Sequence, residues 1–306
     1  MKSMTTTNNL LEISGHNGPI YSIDADEKFI YSASSDTYVT RWLKSTGEQD
    51  RFAIKCNAVP YVLCLFAQHT KLAIGLSTGQ IHIVDVMEKR EIHHIVQHQS
   101  GIFALKELSG RNLLFVGDAD GFLSVWDTNS MKLQLILPLN CGKIRCIESV
   151  NDQAIFVAGG NGEIVVIEVE FMNEIGRFYA HEGGTSSLHF DQQHQQLISG
   201  GKDAYLRWWE MPNFHLLKAL PAHKANIYGI RKWKEDEFIT VSRDKSMKRW
   251  NLTSKSVLEK WESSKIKHRQ SINSLWSNEN GQFAFAGDDK IIHFYSSNVE
   301  DSLDCP

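Results

Sequence analysis

The chain repeats itself, and the length of the period decides most of what it can fold into. Bulky residues at Trp42, Val84, Trp126, Ile167, Trp209, Trp250 and Tyr295 follow one another at intervals of 42, 42, 41, 42, 41 and 45 residues. Six residues before each stands Asp36, Thr78, Asp120, Asn161, Asp203, Asp244 or Asp289. A third mark lies 20 to 22 residues upstream of each of these, at His16, Cys56, His98, Cys141, His181, His223 and His268. A chain of 306 residues would ordinarily suggest two domains, but seven in-phase units of this length override that expectation. Between the marks run short strand-like segments such as Ile20-Tyr-Ser-Ile23, Leu197-Ile-Ser199 and Phe238-Ile-Thr240, and strong helical periodicity is absent.

A period of 40–45 residues with Gly15-His16 near its start and Trp126-Asp127 near its end, varied as Trp209-Glu210 and Trp250-Asn251, resembles the WD-repeat β-propeller family. The resemblance covers roughly residues 10 to 297 and implies an all-β, seven-bladed propeller of four-stranded antiparallel blades. In that family the turn aspartate and the histidine hydrogen-bond to each other, the histidine also meets a strand Ser or Thr, and that hydroxyl reaches the tryptophan N–H. The network satisfies polar groups that would each cost roughly 1–3 kcal/mol if buried alone. The full set is expected in three units: His16, Ser32, Asp36, Trp42; His181, Ser199, Asp203, Trp209; and His223, Thr240, Asp244, Trp250. The strand hydroxyl is missing at Val116 and Phe285. Units two and four, with Cys56, Ile74, Thr78, Val84 and Cys141, Val157, Asn161, Ile167, must rely on packing.

Serine, histidine and aspartate within reach of one another also suggest a catalytic triad, but one catalytic site is not copied three times at fixed spacing. No P-loop, GxSxG or HExxH pattern is present. Gly159-Gly-Asn-Gly162 falls in an expected inter-strand turn. His93 and His94 point to opposite faces of an extended segment and His98 already has a place in the repeat, so no metal site and no cofactor are expected. The five cysteines are odd in number, with no CxxC pair, which suggests reduced thiols.

After Tyr295 too little chain remains for an outer strand, whereas Asn9-Leu-Leu-Glu-Ile-Ser14 precedes Gly15-His16 as such a strand should. The ring over residues 9–297 is therefore expected to close by pairing this segment into the last blade, with 1–8 and 298–306 as flexible tails. The net charge of −4 gives no general attraction for nucleic acid or an anionic membrane. The amino terminus lacks a signal-peptide apolar region, and a cytoplasmic protein is expected, monomeric by itself.

The resemblance also implies that partners bind around the channel mouth. The first set of mouth positions, one after the first inward residue of each blade, maps to Tyr21, Leu63, Phe103, Arg145, Ser186, Tyr228 and Asn273, with blade two uncertain because Pro60 shifts the register. The second, one before each turn acid, maps to Ser35, Ser77, Ala119, Gly160, Lys202, Arg243 and Asp288. Three aromatics (Tyr21, Phe103, Tyr228) therefore face the mouth, and basic residues gather on blades four to six as Lys143, Arg145, Lys202 and Arg243, with Lys267 and Arg269 close by. The expected function is a non-catalytic scaffold that grips other proteins or peptide segments, acidic or phosphorylated ones in particular. The alternative is a propeller enzyme or small-ligand binder using the central channel.

Overall fold

The computed structural model describes residues 9–262, 266 and 268–296. It contains seven four-stranded antiparallel sheets. Six are consecutive in the chain, at residues 20–55, 60–96, 102–138, 144–179, 185–221 and 227–261. The seventh joins the three strands of residues 272–296 to the amino-terminal strand Asn9–Ser14, which pairs antiparallel with Ile291–Ser296 from Asn9 opposite Ser296 to Ser14 opposite Ile291. The expected closure is thus present. The tails at 1–8 and 298–306 lie outside the described residues.

The turn between the second and third strands explains why the marked residue recurs. The residue after each turn position takes a left-handed backbone conformation in all seven blades: Thr37, Gly79, Gly121, Gly162, Ala204, Lys245 and Lys290. Four of these are not glycine, so each carries a local cost that the rest of the corner must offset. At Gly162, with φ +100°, a Cβ would sit 2.2 Å from the His181 carbonyl oxygen, so no larger residue fits. This is the glycine-rich stretch read from the sequence as a turn.

The core is not one mass but seven layers, each between two adjacent blades. The bulky residue of every unit faces the preceding blade. Trp209 packs with Phe156, Ile164 and Val166 of blade four, and Trp250 with Ile198, Leu206 and Trp208 of blade five. Trp42 closes the ring by packing with Ile13, Ala284, Ile292 and Phe294 of blade seven. Because Asn9–Ser14 and Ile291–Ser296 pair beside that last layer, the seam carries the same kind of apolar burial as the covalent joints.

Candidate partner-binding site

The corners hold the blades in place, and they form as expected in three of them. In blade one His16 Nδ1 lies 2.9 Å from Asp36 Oδ2, His16 Nε2 lies 2.7 Å from Ser32 Oγ, and Trp42 Nε1 donates to the same Oγ at 2.7 Å. Blade five repeats this with His181, Asp203, Ser199 and Trp209 at 2.9, 2.8 and 2.8 Å. Blade six does so with His223, Asp244, Thr240 and Trp250 at 3.2, 2.8 and 2.9 Å. The geometry fits a proton on Nδ1, given to the carboxylate, with Nε2 accepting from the hydroxyl. Burial pushes His16, His181 and His223 below the usual imidazole range, against the pull of their aspartates. Burial opposes ionisation of Asp203 too, but hydrogen bonds from His181, Arg207 and the Tyr205 amide outweigh it and hold the carboxyl at about 2. A neutral imidazole, buried with no access for substrate, braces a turn and is not placed for catalysis.

Blade three departs from the expectation in two ways. The carboxylate that meets His98 is Asp118, 2.7 Å from Nδ1, not Asp120. Asp118 ends the second strand, and its other oxygen accepts from the Asp120 and Phe122 amides at 3.0 and 2.9 Å, so it caps the turn from two residues earlier. Nor is the hydroxyl missing. Val116 pairs across the ladder with Ser124, and Ser124 Oγ reaches His98 Nε2 at 2.7 Å while accepting from Trp126 Nε1 at 2.8 Å. The hydroxyl has moved one strand over and serves the same corner. In blades two and four the corner is occupied by Cys56 and Cys141, whose thiols burial pushes up to about 12 and about 11; both are neutral packing groups.

The mouth is built from a second repeated device. In every blade the innermost strand has a register break against the second strand, and the unpaired residue there is Tyr21, Tyr61, Phe103, Arg145, Ser186, Tyr228 or Asn273. A bulge of this kind turns a side chain out of the sheet, and all seven line one depression of about 590 Å³. The blade-two expectation is corrected: Leu63 is a buried core residue, and Tyr61, directly after the inward Pro60, holds the mouth position.

Tyr61 makes the aromatics contiguous. Tyr21 meets it edge-on with ring centroids 5.6 Å apart, and Phe103 stacks on its other side at 4.7 Å. Lys143 Nζ sits 3.9 Å from the Phe103 ring centre and the Arg145 guanidinium 5.7 Å from it, so the aromatic arc of blades one to three runs directly into the basic sector. Tyr228 and Arg243 complete the far side of the depression. Lys202 is exposed beside the depression rather than among its lining residues. Arg269 is likewise exposed, and Lys267 lies outside the described residues.

The electrostatics of the mouth are uncompensated. Lys143 is held below the usual lysine range by burial, by Arg145 and by Lys202, and burial lowers Arg145 as well. Among the described residues none of Lys143, Arg145, Lys202 and Arg243 has a carboxylate partner. The one acid in the lining, Asp288, stands on blade seven and accepts from Asn273 Nδ2 at 2.7 Å.

Below the mouth the channel narrows to a cavity of about 380 Å³ that includes Asp24, Lys106, Glu107, Glu148 and Arg231. All but Arg231 act as inter-blade straps. Asp24 accepts from the Leu65 amide at 2.7 Å, Glu107 from the Ala67 amide at 2.7 Å, and Glu148 faces Lys106 at 3.3 Å. Ser22 and Ser274 accept from the Leu63 and Ile23 amides in the same way.

Comparison with known sequences agrees with this architecture. Residues 7–42, 89–127 and 172–210 each match the family model described as WD domain, G-beta repeat. Each match takes in the outer strand of one blade and runs to the third strand of the next, so the sequence repeat is staggered by one strand from the structural blade. The human kinesin-like protein KIF21B is 22% identical over 254 residues, 80% of this chain and 14% of that protein. The striatin homolog of Dictyostelium discoideum is 19% identical over 311 residues, 92% of this chain and 34% of that protein. WD repeat-containing protein 1-B of Xenopus laevis is 23% identical over 259 residues, 82% of this chain and 42% of that protein. The chain therefore spans less than half the length of each.

Proposed function

Because this chain is a WD-repeat β-propeller, we propose that it serves as a non-catalytic protein-interaction scaffold whose channel mouth receives an acidic or phosphorylated peptide segment. The observation that carries this reading is the contiguity of a stacked aromatic arc with unpaired cations in a half-dry depression. Like charges brought together and partly desolvated are unfavourable until an anion arrives, and a carboxylate or phosphate binding between them is then stabilised by charge-assisted hydrogen bonds. The aromatics beside them offer large contact area at little entropic cost. Relatives with protein-interaction names, among them a p21-activated protein kinase-interacting protein 1-like of Danio rerio that is 27% identical over 149 residues, support the scaffold role in general. The reading includes a cytoplasmic setting, for which the four described cysteines, all free, are the supporting observation.

The test is binding of a fluorescent pool of phosphoserine- and glutamate-rich peptides to the intact chain and to the double variant Arg145→Glu, Arg243→Glu. Two reversed charges at the mouth should weaken binding by at least about tenfold and leave the melting temperature within a few degrees. Unchanged affinity in the double variant would remove this reading.

A further inference from the structure

The corner of blade seven has a composition unlike the other six. His268 holds the usual histidine position and contacts Asp289 through Nδ1. In blades one, three, five and six the opposite ring nitrogen meets a hydroxyl at 2.7 to 2.8 Å. In blade seven the two ladder positions that can supply that hydroxyl are Phe285 and its cross-strand partner His293. The residue that elsewhere donates an indole N–H is Tyr295, so nothing calls for a relay to it. Among the described residues His268 Nε2 has no hydrogen-bond partner. In place of a hydroxyl, a second imidazole stands with its ring centre 4.6 Å from that of His268.

Both imidazoles are fully buried, at 0% exposure, and the Asp289 side chain is exposed only to 7%. One donor atom from each of His268, Asp289 and His293 lies within 4.8 Å of the other two. A carboxylate and two imidazoles converging in a dry pocket match the donor set that first-row divalent ions prefer. Around tetrahedral zinc, with bonds of about 2.0–2.2 Å, neighbouring donors stand roughly 3.4 Å apart; side-chain movements on the order of an ångström would bring the three into place. The fixed turn holding Asp289 and the ladder holding His293 supply the rigidity such a site needs.

We propose that His268, Asp289 and His293 form a zinc-binding site that fastens the closing blade, doing there by coordination what the hydroxyl relay does elsewhere. The ligands come from the loop before the blade's first strand, the turn after its second and the third strand itself, so one ion would tie together three segments of the blade that receives the amino-terminal strand.

The experiment is zinc and cobalt titration of the chelator-treated intact chain, alongside His293→Ser and His94→Ala. His293→Ser recreates the blade-three arrangement, in which Ser124 bonds His98, and should fold. The proposal expects uptake of one ion per chain and a rise in melting temperature of a few degrees in excess zinc. The cobalt form should show the visible absorption of a tetrahedral nitrogen–oxygen site. His293→Ser should lose at least about tenfold in affinity and the zinc-dependent rise, while melting close to the metal-free parent. His94, which stacks on His82 at 4.6 Å on blade two beside Glu91, is the competing location, so His94→Ala should bind normally. No saturable uptake by the parent chain, undiminished uptake by His293→Ser, or loss confined to His94→Ala would each overturn it.

Discussion

Blades four and five sit side by side and solve the same problem with opposite chemistry. In blade five a part-buried carboxylate and a buried imidazole, hydroxyl and indole N–H satisfy one another. In blade four Cys141, Val157 and Ile167 fill the corresponding positions, all at 0% exposure, with no such network. Both corners nonetheless place a bulky side chain against the preceding blade and a left-handed residue at the turn. The lesson is that apolar packing builds the ring. The polar corner adds directionality and a penalty for breaking it, because a buried donor left alone costs more than an apolar replacement of both partners.

The largest effect expected is at the seam both blades depend on. Deleting residues 1–14 removes the outer strand of blade seven and Ile13 from the layer against Trp42. The loss should exceed about 3 kcal/mol from buried apolar area alone, lowering the melting temperature by roughly 6 °C or more. Calorimetry that finds no change would remove the closure from the account.

Next comes a single substitution in each blade. Ser199→Ala leaves His181 Nε2 and the Trp209 N–H buried without their shared hydroxyl and should cost roughly 1–3 kcal/mol per stranded group. In blade four, Ile167→Val has no polar partner to strand and should cost only about 0.5–1.5 kcal/mol. Denaturant melts of the two variants side by side check the contrast; equal losses would erase it.

Acid should act on the polar corners and spare the apolar ones. His16, His181 and His223 have folded pKa values below the unfolded value of 6.5. The unfolded chain therefore takes up protons first, and stability falls as pH drops below about 6.5. Asp203, depressed to about 2 from 3.8, contributes stability that is present above about 4 and lost as pH falls through 2. Melting temperature measured between pH 7 and 5 should decline, and His181→Leu together with Ser199→Val and Asp203→Asn should flatten the decline. A profile that is level in the parent chain would contradict these assignments.

The smallest effect belongs to the cysteines. Cys141→Val replaces a neutral buried thiol by a slightly larger apolar group and should change stability by less than about 1.5 kcal/mol, a difference urea titration can resolve.

Much of this was legible before any coordinates. The period fixed the number of blades, the three complete corners and the amino-terminal closure because each depends on spacing along the chain. What escaped depends on contacts across the ladder. Ser124 replaces the hydroxyl absent at Val116 only because the antiparallel register sets them opposite, and Asp118 displaces Asp120 because a turn can be capped from its strand end. Tyr61 was obscured by Pro60, although counting Pro60 as the inward residue places it correctly. The His268, Asp289 and His293 cluster was hidden for the same reason as Ser124: His293 enters the corner from the third strand, a position the repeat marks do not flag.

The central claim is a division of labour, in which corners fasten the ring and the mouth binds. The most direct test measures both properties on two variants, Asp203→Asn in a corner and Arg145→Glu with Arg243→Glu at the mouth, by thermal melting and by binding of the acidic and phosphorylated peptide pool. The account predicts a crossed result, with the corner variant melting lower but binding normally while folded, and the mouth variant melting normally but binding at least about tenfold more weakly. A corner variant that loses binding without losing stability, or a mouth variant whose only defect is a lower melting temperature, would contradict it.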